Sequence, residues 1–359
     1  TMTVRAGLRA GAPVAAPPPQ AAAVRGGAPG SGTGMGWLPW LCTAMGAGLV
    51  LLAYSYRAAR NGSSTAYPVF WLALAVMFLP VAARLFGASA GRAERLGEVT
   101  ALGIGLYLVK VLQSPVGFTY ADELQHLRSL QDVLATGRLY QHNPLLPISG
   151  LYPGLETVTS ALVKVTGVSP FLAGLLILGA ARFVLMIALF LFYEDVSGSM
   201  RIASIGTVIY TGNPNFLFFD SQFAYESLAV PLLILSLYLI SRKSRWIRES
   251  GSAIGLTLLL VIAVGATIAT HHLSSYALCV YVCTWAALRY AGKRAPAGEY
   301  GVGGAAQIAV VGTLAWLLYV AGQTVRYLAP NIGGGLAEVL RLIQGEQASR
   351  QLFRDAAGV

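Results

Sequence analysis

Apolar residues run through this chain in long unbroken stretches, separated by short polar or charged breaks. A run of roughly 20 mostly apolar residues matches the hydrocarbon core of a bilayer, where only helices or closed barrels satisfy their backbone polar groups. The runs are continuous rather than alternating, so they predict helices. About nine spans follow, at 37–56, 67–86, 96–114, 169–193, 202–219, 225–241, 252–270, 273–290 and 303–325. The fold class is therefore all-α, a polytopic membrane protein with surface-lying amphipathic helices on one face.

Those amphipathic helices belong to the long polar loop from Pro115 to Val168. Leu124, Leu127, Leu130 or Gln131, and Leu134 recur at helical spacing over 121–137, with Asp122, Gln125, Arg128 and Asp132 around the other side. This pattern predicts a helix lying along the membrane surface. Pro153 suits the first position of a second helix running through Glu156 to Gly167. Between them, Pro144, Pro147 and Gly150 predict a turn-rich connection over 139–152.

Composition agrees with the pattern. The chain is 55% hydrophobic and 11% charged, with a mean hydropathy of +0.62, which excludes a soluble domain of 359 residues. Residues 1–36, with Pro17-Pro18-Pro19 and a Gly- and Ser-rich run, read as a flexible tail with no signal peptide before it. The dense cluster Arg242, Lys243, Arg245 and Arg248 lies in a short connection, where the positive-inside rule is strongest. That places the tail in the cytoplasm and the 115–168 loop outside. The net charge of +10 then reflects topology, not nucleic-acid binding. Cys42, Cys279 and Cys283 all fall within spans and read as apolar filler.

The same topology collects candidate chemistry on one face. Asp122 and Glu123 stand side by side in the outer loop, Asp220 and Glu226 flank the start of the sixth span, and His271-His272 ends the seventh. Each has a local explanation. Thr119 with Asp122 three residues on resembles a capping box, Asp220 and Glu226 suit a cap and a first helical turn, and the histidines suit a helix C-terminus. All of them coincide on one membrane face, however, and acids and histidines near a bilayer normally face a polar cavity. Lys110 and Arg182 lie within spans, Arg182 about midway along the fourth.

The order of these features resembles the GT-C superfamily of membrane glycosyltransferases. In those enzymes an outward span is followed by an acidic pair in the first large outer loop, then by surface helices and further spans. Phe118-Thr119-Tyr120-Ala121-Asp122-Glu123 is similar to the family's modified DxD signature. Residues 220–227 and 270–276 resemble outer-face motifs of members related to protein mannosyltransferases. The likeness covers 96–328. It makes 37–95 two additional transmembrane helices, and 329–359 a polar outer segment that would open a further C-terminal part.

The resemblance implies an inverting transfer of a sugar, mannose or arabinose among the candidates, from a polyprenyl-phosphate donor to a glycan, lipid or protein acceptor. The setting would be the extracytoplasmic face of a bacterial plasma membrane. Asp122 would be the base, with Glu123 orienting it or binding a divalent cation, Mg or Mn. Asp220, Glu226, His271 and His272 would bind sugar hydroxyls or tune the base, with Asp220 and His271 as further metal ligands. Lys110 and Arg326 would neutralise the leaving phosphate. Two alternatives are a lipid-linked glycan polymerase or ligase, and a lipid or solute transporter. A metallopeptidase using Asp122, His126 and the histidine pair is the weakest, because Asp-Glu-Leu-Gln-His lacks the first histidine of His-Glu-x-x-His.

Overall fold

The computed structural model describes residues 34–250, 254–291 and 301–343. The 1–36 tail and the end of the 329–359 segment fall largely outside these residues. Among the described residues every regular element is a helix. In order they are α1 (Leu38–Arg60), α2 (Ala66–Phe86), α3 (Arg92–Gln113), α4 (Ala121–Thr136), α5 (Gly154–Thr166), α6 (Pro170–Ser197) and α7 (Met200–Thr211), then α8 (Pro214–Leu217), α9 (Tyr225–Ser250), α10 (Ile254–Thr270), α11 (His272–Ala291), α12 (Gly301–Tyr319) and α13 (Gln323–Ile343). Six of the described helices, α1, α2, α3, α6, α9 and α12, are long and apolar enough to cross a membrane. The chain is thus a multi-pass membrane protein. Helix α10 is apolar but has 17 residues, and α11 is long enough but more polar.

The span expected at 202–219 is not a continuous helix. Its first part is α7, which has 12 residues and is about 18 Å long, well short of a core of about 30 Å. Gly212-Asn213-Pro214 ends it. Proline has no N–H to continue the ladder and pushes the preceding residue out of the helical region, and Asn213 is extended at φ −67° and ψ 129°. The chain then makes the short α8 and a 3₁₀ turn, Phe219–Ser221, before α9 begins. The expected span at 303–325 likewise divides into α12 and α13, with the break at 320–322, and the 328/329 boundary falls inside α13.

Among the described residues, the three larger of four apolar clusters hold the bundle. Leu41, Met45, Leu52, Ala73 and Met77 of α1 and α2 share one core with Leu102 and Leu106 of α3 and Leu185 and Met186 of α6. The two additional helices are therefore continuous with the rest. A second cluster joins α9 to α12 through Leu237, Ile240, Leu260, Ile268, Leu278 and Ala305. The third lies under the long loop: Phe118, Leu130 and Leu155 pack on Tyr107, Leu178, Phe223 and Tyr225. Glycine makes two of these approaches possible. A Cβ on Gly174 would meet the rings of Phe118 and Phe223 at 2.8 Å, and one on Gly154 would collide with Thr270 of α10.

Candidate functional site on the loop face

Helix α4 buries Leu130 of its leucine stripe, with Leu127 and Leu134 packed on the same apolar cluster, and it turns two polar residues inward beside them. Its fully buried residues are Glu123, His126, Ser129, Leu130 and Val133, while Leu124 is 46% exposed. Two polar side chains point into the protein, and each has a partner waiting. His126 Nδ1 lies 2.8 Å from Glu156 Oε1 of α5, with both residues buried. A carboxylate at Nδ1 favours the tautomer that donates there, which leaves Nε2 as the basic nitrogen.

Glu123 supplies the cap of α4, a role that the capping-box pattern had placed on Asp122. Its Oε2 accepts the N–H groups of Thr119 and Tyr120 at 3.0 and 3.1 Å. Its Oε1 pairs with Lys110 of α3 and accepts the N–H of Phe223 at 3.2 Å, from a segment 100 residues away. Lys110 is as buried as its partner, and its ammonium also lies 5.7 and 5.5 Å from the ring centroids of Phe118 and Tyr120. Asp122 turns outward and is exposed, with no hydrogen bond among the described residues.

Tyr225, the first residue of α9, is the hub. Its ring centroid is 4.6 Å from that of His126, 4.4 Å from that of His271 and 6.0 Å from that of His272. Asp122, Glu156, Glu226 and Tyr327 lie within electrostatic range of its hydroxyl. Glu226 is half-buried and in range of Asp122, His126 and Asp220. His271 Nδ1 is 2.9 Å from Ser274 Oγ. Burial, then His272, then His126, push the His271 imidazole down to about 3, so it is uncharged at neutral pH. Tyr152 and Tyr327 flank His272 at 5.3 and 6.5 Å between ring centroids. Arg326 is exposed beside Tyr327 at the rim.

Asp220 belongs to a second polar station, deeper in the bundle. Arg182, near the middle of α6, donates from Nη2 to Ser221 Oγ at 2.8 Å and lies 4.0 Å over the Phe216 ring. Its Nη1 has no hydrogen-bond partner among the described residues. Asp220 is half-buried beside it; burial pushes its carboxyl above the usual carboxylate range while Arg182 pulls the other way. This station exists because α7 is short and the 212–224 segment turns back inside the bundle.

The structure therefore gathers Asp122, Glu226, His271 and His272 around Tyr225, with Arg326 at the rim. It places Asp220 with Arg182, and commits Glu123 and Lys110 to each other. Among the described residues, no three His, Cys, Asp or Glu side chains group as a metal site would need. Glu123, Asp220 and His271, the expected metal ligands, are not brought together as one donor set. Sequence reasoning missed Tyr225 and Glu156 as neighbours of the acids, and it joined His126 to Asp122 and the histidine pair only in the metallopeptidase alternative. His126 did carry a signal, since it sits three residues after Glu123 on the same helix face. No protein-family model, curated protein or solved structure matches the chain.

Proposed function

We propose that this protein is a membrane glycosyltransferase that takes a sugar from a polyprenyl-phosphate donor and passes it, with inversion, to a hydroxyl of an acceptor presented at the loop face. The observation that carries the reading is the grouping around Tyr225. Three places distant in sequence, α4, the start of α9 and the α10–α11 junction, bring an exposed carboxylate, a second half-buried carboxylate and three imidazoles together. Asp122, free of hydrogen bonds among the described residues, takes the proton of the acceptor hydroxyl. The acceptor oxygen forms its bond to the anomeric carbon as the bond to the lipid phosphate breaks, and the phosphate leaves as an anion. Arg326 at the rim meets that charge. Glu226 and the neutral His271 accept and donate hydrogen bonds to sugar hydroxyls. No metal enters this scheme. The loop face is extracytoplasmic in a bacterial plasma membrane.

The test incubates detergent-purified protein with a labelled polyprenyl-phosphate sugar and a panel of cell-envelope acceptors, and measures free polyprenyl phosphate. Asp122→Asn should retain fold and donor binding but cut release by roughly 10² to 10⁴, the usual worth of a general base. Transfer of a lipid-linked glycan block instead of one sugar would point to a polymerase or ligase. Movement of the intact donor across liposomes, with none consumed, would reject the enzyme in favour of a transporter.

A further inference from the structure

We infer that Glu123 and Lys110 are positioning residues, a buried ion pair that holds the Asp122 turn and the 221–226 segment in one block and touches no substrate. The inference rests on the glycosyltransferase reading only for what Asp122 does in that block. A carboxylate offers about four acceptor positions. Those of Glu123 go to Lys110, Phe223 N–H, Thr119 N–H and Tyr120 N–H, and the residue is 0% exposed. No acceptor position remains for a hydroxyl or a cation, and no opening leads to it.

The donors come from three separate places: α3, the turn before α4, and the bent link before α9. The neighbouring rings reinforce the same junction. Phe118 stacks on Phe223 with centroids 4.7 Å apart and planes 9° apart, and Phe171 closes the edge at 4.9 Å. Asp122 and Glu226 thus extend from two ends of one clamped block, one residue before Glu123 and three after Phe223. The second acid of the pair is adjacent to the first in sequence but is buried where the first is exposed, and does a different task.

The ion pair makes a distinctive prediction. Removing one charge leaves the other buried without a partner, whereas removing both leaves neither. Glu123→Gln and Lys110→Gln should each lower the folded-to-unfolded ratio by roughly 10² to 10³-fold and reduce transfer, while the double variant should recover most of both. Thermal unfolding in detergent and release of polyprenyl phosphate are measured on all four proteins. Recovery of stability and transfer together in the double variant is the expected result. A double variant as stable as the parent but as inactive as Asp122→Asn would overturn the inference, because Glu123 would then act on substrate. Equal loss of stability in the singles and the double would also overturn it. If the single variants fail to accumulate, the yield of folded double variant decides alone: recovery supports the pair, and no recovery rejects it. If the parent transfers no sugar, the functional reading fails while the stability comparison still tests the pair.

Discussion

Replacing Glu98 with methionine should make this protein more stable. Glu98 lies in the first half of α3 and is 0% exposed; among the described residues its carboxyl oxygens make no hydrogen bond of good geometry, and the closest polar neighbour is the like-charged carboxyl of Glu94. The cations nearby are already engaged. Arg84 donates from Nε and Nη2 to Glu94 at 2.9 Å each, and Arg95 donates to the carbonyls of Ala90, Leu85 and Gly87 and to Ser204 Oγ. Even counted only as a polar group, a buried carboxyl without partners costs about 1–3 kcal/mol. Methionine has nearly the same length, needs no partner and packs flexibly, so it removes that cost without opening a cavity. The expected gain is about 1–3 kcal/mol, or a midpoint higher by roughly 2 to 8 °C. Glu98→Gln keeps the polar demand and should fall between the two. Tryptophan fluorescence during thermal unfolding in detergent measures all three, with Glu94→Gln as the opposite control, since Glu94 also accepts the N–H of Trp37 at 2.8 Å and its loss must destabilise. A loss of more than about 1 kcal/mol in Glu98→Met would refute the reasoning, because it would require a favourable contact at Glu98.

Two further outcomes follow from the same geometry. His271 titrates near 3 in the fold and near 6.5 in an unfolded chain, so the unfolded state takes up the proton first. Stability should fall as pH drops from about 6.5 toward 3, and His271→Asn, which can keep the bond to Ser274, should flatten that fall; an unchanged slope in pH-dependent unfolding would count against it. For topology, Leu145 on the loop is 68% exposed and Arg201 opens α7 at the other face. In a cysteine-free background in intact cells, Leu145→Cys should react with an impermeant thiol reagent and Arg201→Cys should not, and the reverse pattern would invert the orientation.

Much of this architecture was legible in the pattern of residues, for a plain reason. Long apolar runs have one compatible structure in a bilayer, and so six of the expected spans appear, as α1, α2, α3, α6, α9 and α12, each beginning within a few residues of where hydropathy puts it. The loop helices were legible too, as α4 and α5 begin and end within a few residues of the expected positions. One local signal outweighed hydropathy: Gly212-Asn213-Pro214 breaks an apolar run that hydropathy alone reads as a span. An ionisable residue inside a span is another legible signal, and it marks Glu98 as firmly as Lys110 or Arg182.

What only the tertiary structure decided is which polar group meets which. Lys110 and Glu123 are 13 residues apart, His126 and Glu156 are 30, Arg182 and Ser221 are 39, and Glu123 and Phe223 are 100. A buried polar side chain must find a partner or pay its desolvation, but its own position in the chain does not name that partner. The leucines of α4 predicted a helix lying along the membrane surface; in the fold Leu130 is buried with Leu127 and Leu134 packed beside it, and Glu123 and His126 turn inward next to them because Lys110, Phe223 N–H and Glu156 are there to receive them. Asp122, one residue from Glu123 and equally acidic, was left outside for the same reason.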